Sequence, residues 1–178
     1  MRGRRYMSAS IRPATIEDAS EIHALYRRVA AKPGGIARLE EEVSGVYVRA
    51  FLTRALSDGV ALVVIDKSAA IVAEIHAYTP DPYCFSHVFS ELTVVVDPTT
   101  QGKGIGKSII AALLQAVTET HPEIRRVELI ARESNEKAIM LYESLGFRKE
   151  GKLVGRIRNV DGNFESDIPM AWLNRQVR

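Results

Sequence analysis

The sequence predicts a single α/β domain, with a mixed sheet of about six to seven strands flanked by about four helices. Three observations carry this. Runs rich in β-branched residues, "VALVVIDK", "AAIVAEIHAYT" and "HVFSELTVVVDP", are interleaved with segments whose apolar residues recur at helical spacing. Only a few small or polar residues separate the first two runs, which is hairpin spacing, whereas a helical segment separates the third from "RRVELIARES", as a parallel crossover requires. The chain has 178 residues and no internal repeat or linker, enough for one domain with a full core and short for two.

Taken in order, residues 1–10 are basic with no apolar segment behind them, which predicts a flexible tail rather than a signal peptide, and 11–178 form the domain. "SIRPATIEDASEIHALYRRVA" opens extended, Thr15 stands where an N-cap would, and Ile16, Ala19, Ile22, His23, Tyr26 and Val29 recur at helical spacing. "KPGG" breaks that helix, and "RLEEEVSGVYVRAFLTRAL" reads as a second, amphipathic one ended by Asp58 and Gly59. After the hairpin, "PDPYCFS" is a loop, and the third strand closes at Asp97 and Pro98. A helix follows from about Ile105 to His121, with Pro122 at its exit. "RRVELIARES" alternates as a strand, "NEKAIMLYESLGF" is a helix stopped at Gly146, and "GKLVGRIRNVDGNFESDIPMAWL" is two strands joined around Asp161 and Gly162.

Composition excludes several classes of function. A net charge of +2 gives no broad basic surface for nucleic acid, and the longest apolar runs fall far below the roughly 20 residues that cross a bilayer. The lone cysteine, Cys84, forms no internal disulfide and fits a reducing cytoplasm. His23, His76, His87 and His121 lack metal-ligand spacing, so no metal is expected.

The stretch "DPTTQGKGIGKS" is where the chemistry concentrates. Gly106, Lys107 and Ser108 are the last letters of a phosphate-binding P-loop, but the first glycine of that motif would fall at Gln101. The dinucleotide glycine pattern fails as well, because its third glycine comes one residue early. What remains is a turn between a strand's carboxyl end and a helix's amino end, where free N–H groups and the helix dipole favour an anion. Gly102, Gly104 and Gly106 clear side chains from its approach. Lys103 and Lys107 are cations at a helix N-terminus, mildly unfavourable until an anion arrives.

Gln101, Gly102, Lys103, Gly104, Ile105 and Gly106 read Q-x-x-G-x-G, and "NEKAIMLYESLGF", about thirty residues downstream, reads N-x-x-A-x-x-L-Y-x-x-x-G-F. Together these blocks resemble the two signatures of the GNAT (Gcn5-related N-acetyltransferase) superfamily. The resemblance implies a GNAT-like fold and acetyl-CoA as co-substrate. It also implies transfer of the acetyl group to a primary amine of a small molecule or protein, by direct attack in a ternary complex. Backbone amides from Gly102 to Lys107 would hold the pyrophosphate, the backbone of Val94, Val95 and Val96 would pair with the pantetheine arm, and Asn135 would contact the coenzyme. A non-catalytic acyl-CoA-binding or sensing module is the alternative. No residue names the acceptor, and assembly as a homodimer stays open.

Acyl transfer to an amine needs a base for the amine proton and a proton for the departing thiolate. Glu91 is the first choice of base: it lies near the start of the strand before the glycine turn, on the face of Thr93, where relatives often carry a catalytic glutamate. Glu74 is its rival. Tyr142 matches the tyrosine with which many relatives protonate the coenzyme sulfur; it lies two helical turns from Asn135, offset by roughly 20°, so the two share a face. Nothing near Cys84 marks it as an activated acyl carrier, and "LEEE" at 39–42 reads as a solvated helix face.

Overall fold

Strand β1 (Ser10–Pro13) opens the chain in the computed structural model, which describes residues 9–175. Residues 1–8 of the expected tail lie outside the described residues, and Ser10 is already paired with Ile65. Asp18 turns the chain from strand to helix: its carboxylate accepts the Thr15 N–H at 2.8 Å and takes both ends of the Arg12 guanidinium at 2.7 Å. Helix α1 (Ala19–Ala30) then buries Ala19, Ile22, Leu25, Tyr26 and Val29 along one face, as their spacing predicts.

Helix α2 (Gly45–Asp58) starts later than the sequence pattern suggests. The Glu42 carboxylate accepts the Leu39 N–H at 2.8 Å and closes a single turn over Glu40–Glu42, after which Val43 leaves helical geometry at ψ 87°. Ser44 then caps a fresh helix by accepting the Tyr47 N–H at 3.1 Å. Glu40 is held by Arg27 at 2.7 Å.

The remaining elements are β2 (Gly59–Ile65), β3 (Ile71–Tyr78), β4 (Val88–Val96), α3 (Ile105–Thr120), β5 (Arg126–Arg132), α4 (Glu136–Ser144), β6 (Arg148–Lys149), β7 (Leu153–Arg158) and β8 (Phe164–Leu173). The sheet order is β1-β2-β3-β4-β5-β8-β6, with β7 also on β8. Its eight strands exceed the expected six to seven because one outer edge is broken: β6 pairs with Met170 and Ala171, β7 with Phe164 to Asp167, and 150–152 interrupts them. All pairings are antiparallel except β4 with β5, the expected crossover through α3.

Helices α1 and α2 cover one face of the sheet, and α3 and α4 the other. Strand β2 shows why its run is continuously apolar: Ala61 and Val63 face α1 and α2, while Val60, Leu62 and Val64 face α3.

A polar cluster is sealed under α1 and α2. Glu74 is fully buried, one of its oxygens takes the Tyr26 hydroxyl at 2.7 Å, and the other lies 3.1 Å from Nδ1 of His76. Nδ1 of His76 and that oxygen share one hydrogen bond, so the buried polar atoms of the cluster satisfy one another. Phe51 stacks on the imidazole at 4.0 Å. Tyr26→Phe should leave Glu74 short of a donor and lower stability by about 1–3 kcal/mol, measurable by urea denaturation. An unchanged midpoint would mean that the Tyr26–Glu74 bond contributes nothing to stability.

Candidate functional site

Two strands part in the middle of the sheet. Pairing of β4 with β5 covers Val88 with Arg126 and Phe89 with Val127. The cause lies on the other side of β4. Its register against β3 jumps from Thr93 opposite His76 to Ser90 opposite Tyr78, so Glu91 and Leu92 together face Ala77. This is a β-bulge, and Glu91 occupies it with φ of 54°, a left-handed conformation uncommon for a residue with a side chain. The extra residue bends β4 away from β5. The space opened holds a cavity of about 290 Å³, lined by Glu91, Leu92, Thr93, Glu128, Ile130 and Pro169 among others.

Strand alternation resumes after the bulge, and Glu91 itself stands outside it. Leu92, Val94 and Val96 pack toward α3, and Val95 packs toward α1 and α2. The main chain alternates as well. Asp97 donates its N–H to Val72 of the β3 side at 2.8 Å, so in an antiparallel ladder the groups of Thr93, Val95 and Asp97 point to β3. Those of Val94 and Val96 therefore point into the gap. The Val96 carbonyl there accepts from the Gln101 amide at 3.3 Å, which draws the following loop back over the strand end.

That loop is the glycine turn. Gly102 and Gly104 have φ of 76° and 83°, and Gly104 is the residue before α3. The helix's first backbone bond runs from Ser108 N–H to the Gly104 carbonyl at 3.0 Å. The N–H groups of Ile105, Gly106 and Lys107 thus have no intrahelical partner. A side chain at Gly104 would meet nothing within 4 Å, in open space at the start of the helix, while one at Gly106 would meet Val96 and Leu141 at 3.7 Å. Lys103 rests on the Thr99 carbonyl at 3.4 Å, and Lys107 is exposed. An anion at the helix end, continued by an amide-bearing chain along Val94 and Val96, matches the donors present.

Helix α4 lies on the same face of the sheet as α3, with Leu141 close to Gly106 at the start of α3. Asn135 is its N-cap, accepting the Ala138 N–H at 3.3 Å through its side-chain oxygen, which commits that oxygen and leaves the NH₂ as a donor. Tyr142 lies further along, its ring packed edge-on against Phe147 at 5.7 Å and joined to the α3-side core. Burial pushes its phenol up to about 12, and its hydroxyl bonds to no other described residue.

On the opposite side of the gap, the Glu91 carboxylate has no cation in salt-bridge range among the described residues. Its neighbour is Tyr78, whose phenol is pushed up first by burial and second by the charge of Glu91. Glu74, by contrast, is fully buried against Tyr26 and His76 and is not among the residues that line the cavity beside Glu91. Cys84 sits exposed on the turn Tyr83–Phe85, outside the gap. In the gap, Arg126 bonds Glu128 at 2.7 Å and also holds Glu150. The sequence reading missed Asp97, whose carboxylate caps the start of the glycine turn; the D-x-T pattern at 97–99 is the signal that could have found it.

A family model described as the acetyltransferase (GNAT) family matches residues 19–147. The chain is 40% identical over 58 residues to the spermine/spermidine N(1)-acetyltransferase of Bacillus subtilis, 33% of this chain and 38% of that protein. It spans less than half the length of the curated relatives it matches. Among solved structures, a GNAT-family acetyltransferase from Streptococcus pneumoniae superposes with a TM-score of 0.84 at 20% identity, over 94% of this chain and 100% of that one. The protein yncA of Salmonella typhimurium, solved with its cofactor acetyl-CoA, does so at 0.80 and 19% identity, over 93% and 94%.

Proposed function

The chain belongs to the GNAT family of acetyltransferases, and from that premise we propose that it transfers an acetyl group from acetyl-CoA to a primary amine by direct attack in a ternary complex. The observation that carries this is the parting of β4 from β5 at the Glu91 bulge, directly upstream of the free N–H groups of α3. The gap lets an acyl donor lie between the strands with its diphosphate on the glycine turn. An acceptor can then reach the same point past Glu91.

In this reading Gly102 to Lys107 hold the pyrophosphate with backbone amides, Val94 and Val96 pair with the pantetheine arm, and Asn135 offers its NH₂ to the coenzyme. Glu91 takes the amine proton, directly or through water, as the nitrogen bonds to the acyl carbon. The C–S bond breaks with its electron pair on sulfur, and Tyr142 gives sulfur a proton. Solvent then returns the proton on Glu91 to Tyr142 and keeps the proton that the ammonium shed before attack, so ammonium and thioester give one amide, one thiol and one released proton.

Because the Bacillus relative is named for spermine and spermidine, polyamines head the acceptors to test, followed by amino acids, aminoglycosides and peptides. Release of free thiol from acetyl-CoA on addition of one of these amines is the expected result. Tight coenzyme binding without thiol release across the panel would leave a sensing module in place of an enzyme.

The coenzyme site has its own test. Gly104→Val places a branched side chain in the open space before α3 and should weaken coenzyme A binding at least tenfold, about 1.4 kcal/mol. Backbone strain is controlled by Gly162→Val, since Gly162 has φ of 82° and equally open surroundings but lies in the β7–β8 turn. Calorimetry should show normal affinity for the second variant. Equal losses in both would assign the effect to strain.

A further inference from the structure

We propose that Asp97 and Arg28 form a positioning pair that holds the coenzyme loop in its binding shape before the coenzyme arrives. Asp97 is 7% exposed and each of its acceptor oxygens is engaged. One carboxylate oxygen takes the Thr99 N–H at 2.9 Å and the Thr99 hydroxyl at 2.7 Å. Its main-chain carbonyl takes the Thr100 N–H at 2.9 Å and hydroxyl at 3.0 Å. Its own N–H is fixed to Val72. The second carboxylate oxygen takes Nε of Arg28 at 2.8 Å, from α1, sixty-nine residues away in the chain.

The residues so gripped lead straight into Gly102 and Gly104, both left-handed, and then into the free N–H groups of α3. Glycine-rich backbone has much freedom to lose, and any part not lost beforehand must be lost on binding. Arg28 is the side chain that reaches this segment from the opposite layer of the fold. Arg28 is half-exposed although Asp97 is buried, so water still screens the part-buried pair and its contribution to global stability is modest, on the order of 1 kcal/mol. Its larger effect is local. Arg28 removes the second carboxylate oxygen's freedom to swing, which keeps the first in place to cap the turn.

This inference rests on the coenzyme lying at the glycine turn, and its test separates the two. Arg28→Gln removes the charge; Asp97→Asn keeps an oxygen for Thr99 and weakens the pair. Amide hydrogen exchange at Thr99, Thr100 and Ser108, the bonded N–H groups of the segment, would be measured without coenzyme, alongside calorimetric titration with coenzyme A and thermal melting. Both variants should exchange several-fold faster in that segment alone, and bind coenzyme A about five- to tenfold more weakly, at nearly unchanged melting temperature. Arg28→Lys should restore part of both losses. Normal exchange in that segment, or faster exchange with normal affinity, would overturn the positioning role, as would a melting temperature that falls in step with affinity. Failure of the unmodified protein to bind coenzyme A would instead sink the assignment of the glycine turn, with the exchange data still deciding whether Arg28 orders it. Should Asp97→Asn fail to fold, Arg28→Gln carries the decision.

Discussion

Tyr142→Phe is expected to lower kcat by about 10²–10⁴-fold while barely changing stability. The ring supplies the packing, edge-on to Phe147 and joined to the core beneath α3 and α4, and phenylalanine keeps it. The hydroxyl supplies none of the fold's hydrogen bonds, since no described residue bonds to it. Burial holds the phenol near 12, so at neutral pH the donor is fully protonated when a thiolate leaves. Without that proton, charge on sulfur would build up against an apolar wall. Coenzyme affinity should stay close to normal, because the loss falls on the departing thiolate. Single-turnover thiol release with saturating amine, beside a urea melt, makes the measurement. An early-melting variant would identify Tyr142 as a core residue with a polar tip. Normal turnover in a stable variant would hand the proton to water.

Much of the fold is legible in sequence because it depends on local pattern. The β2–β3 hairpin, the β4–α3–β5 crossover and the buried stripe of α1 each follow from the period of apolar residues. The glycine turn is legible for the same reason, since left-handed positions and a helix start within six residues need particular residue types. What is not legible arises between elements. The Glu91 bulge is a mismatch in residue count between β3 and β4, and neither strand alone records it. The grip of Arg28 on Asp97 and that of Tyr26 on Glu74 join residues 69 and 48 apart. The late start of α2 shows the opposite failure, in which apolar spacing runs on through Leu39 to Val43 although a local carboxylate cap ends the turn there. Glu74 is the most instructive case. In sequence it rivals Glu91 as a polar residue in an apolar strand; in the fold both its oxygens are occupied and it does not line the cavity beside Glu91.

Glu91→Gln should cut kcat/KM for a good amine by about tenfold or more at pH 7, with coenzyme affinity unaltered. Glutamine keeps the size of the side chain, and the bulge is a backbone feature, so the cavity keeps its shape. What is lost is the capacity to take a proton. An alkylamine with a reference pKa near 10.4 is almost wholly protonated at pH 7, so the nucleophile must shed a proton close to the moment of attack. A carboxylate at the rim of the gap, with no cation partner among the described residues, is free to accept it. As pH rises toward the amine's own pKa, solvent removes that proton before the acceptor binds and the carboxylate has less to do. The gap between variant and unmodified enzyme should therefore narrow steadily with pH. The profile distinguishes three roles. A loss that narrows with pH marks a base. An equal loss at every pH marks a residue that only orients the ammonium. No loss at any pH clears Glu91 and passes the proton to a water chain or to Tyr78, the phenol that already senses Glu91's charge.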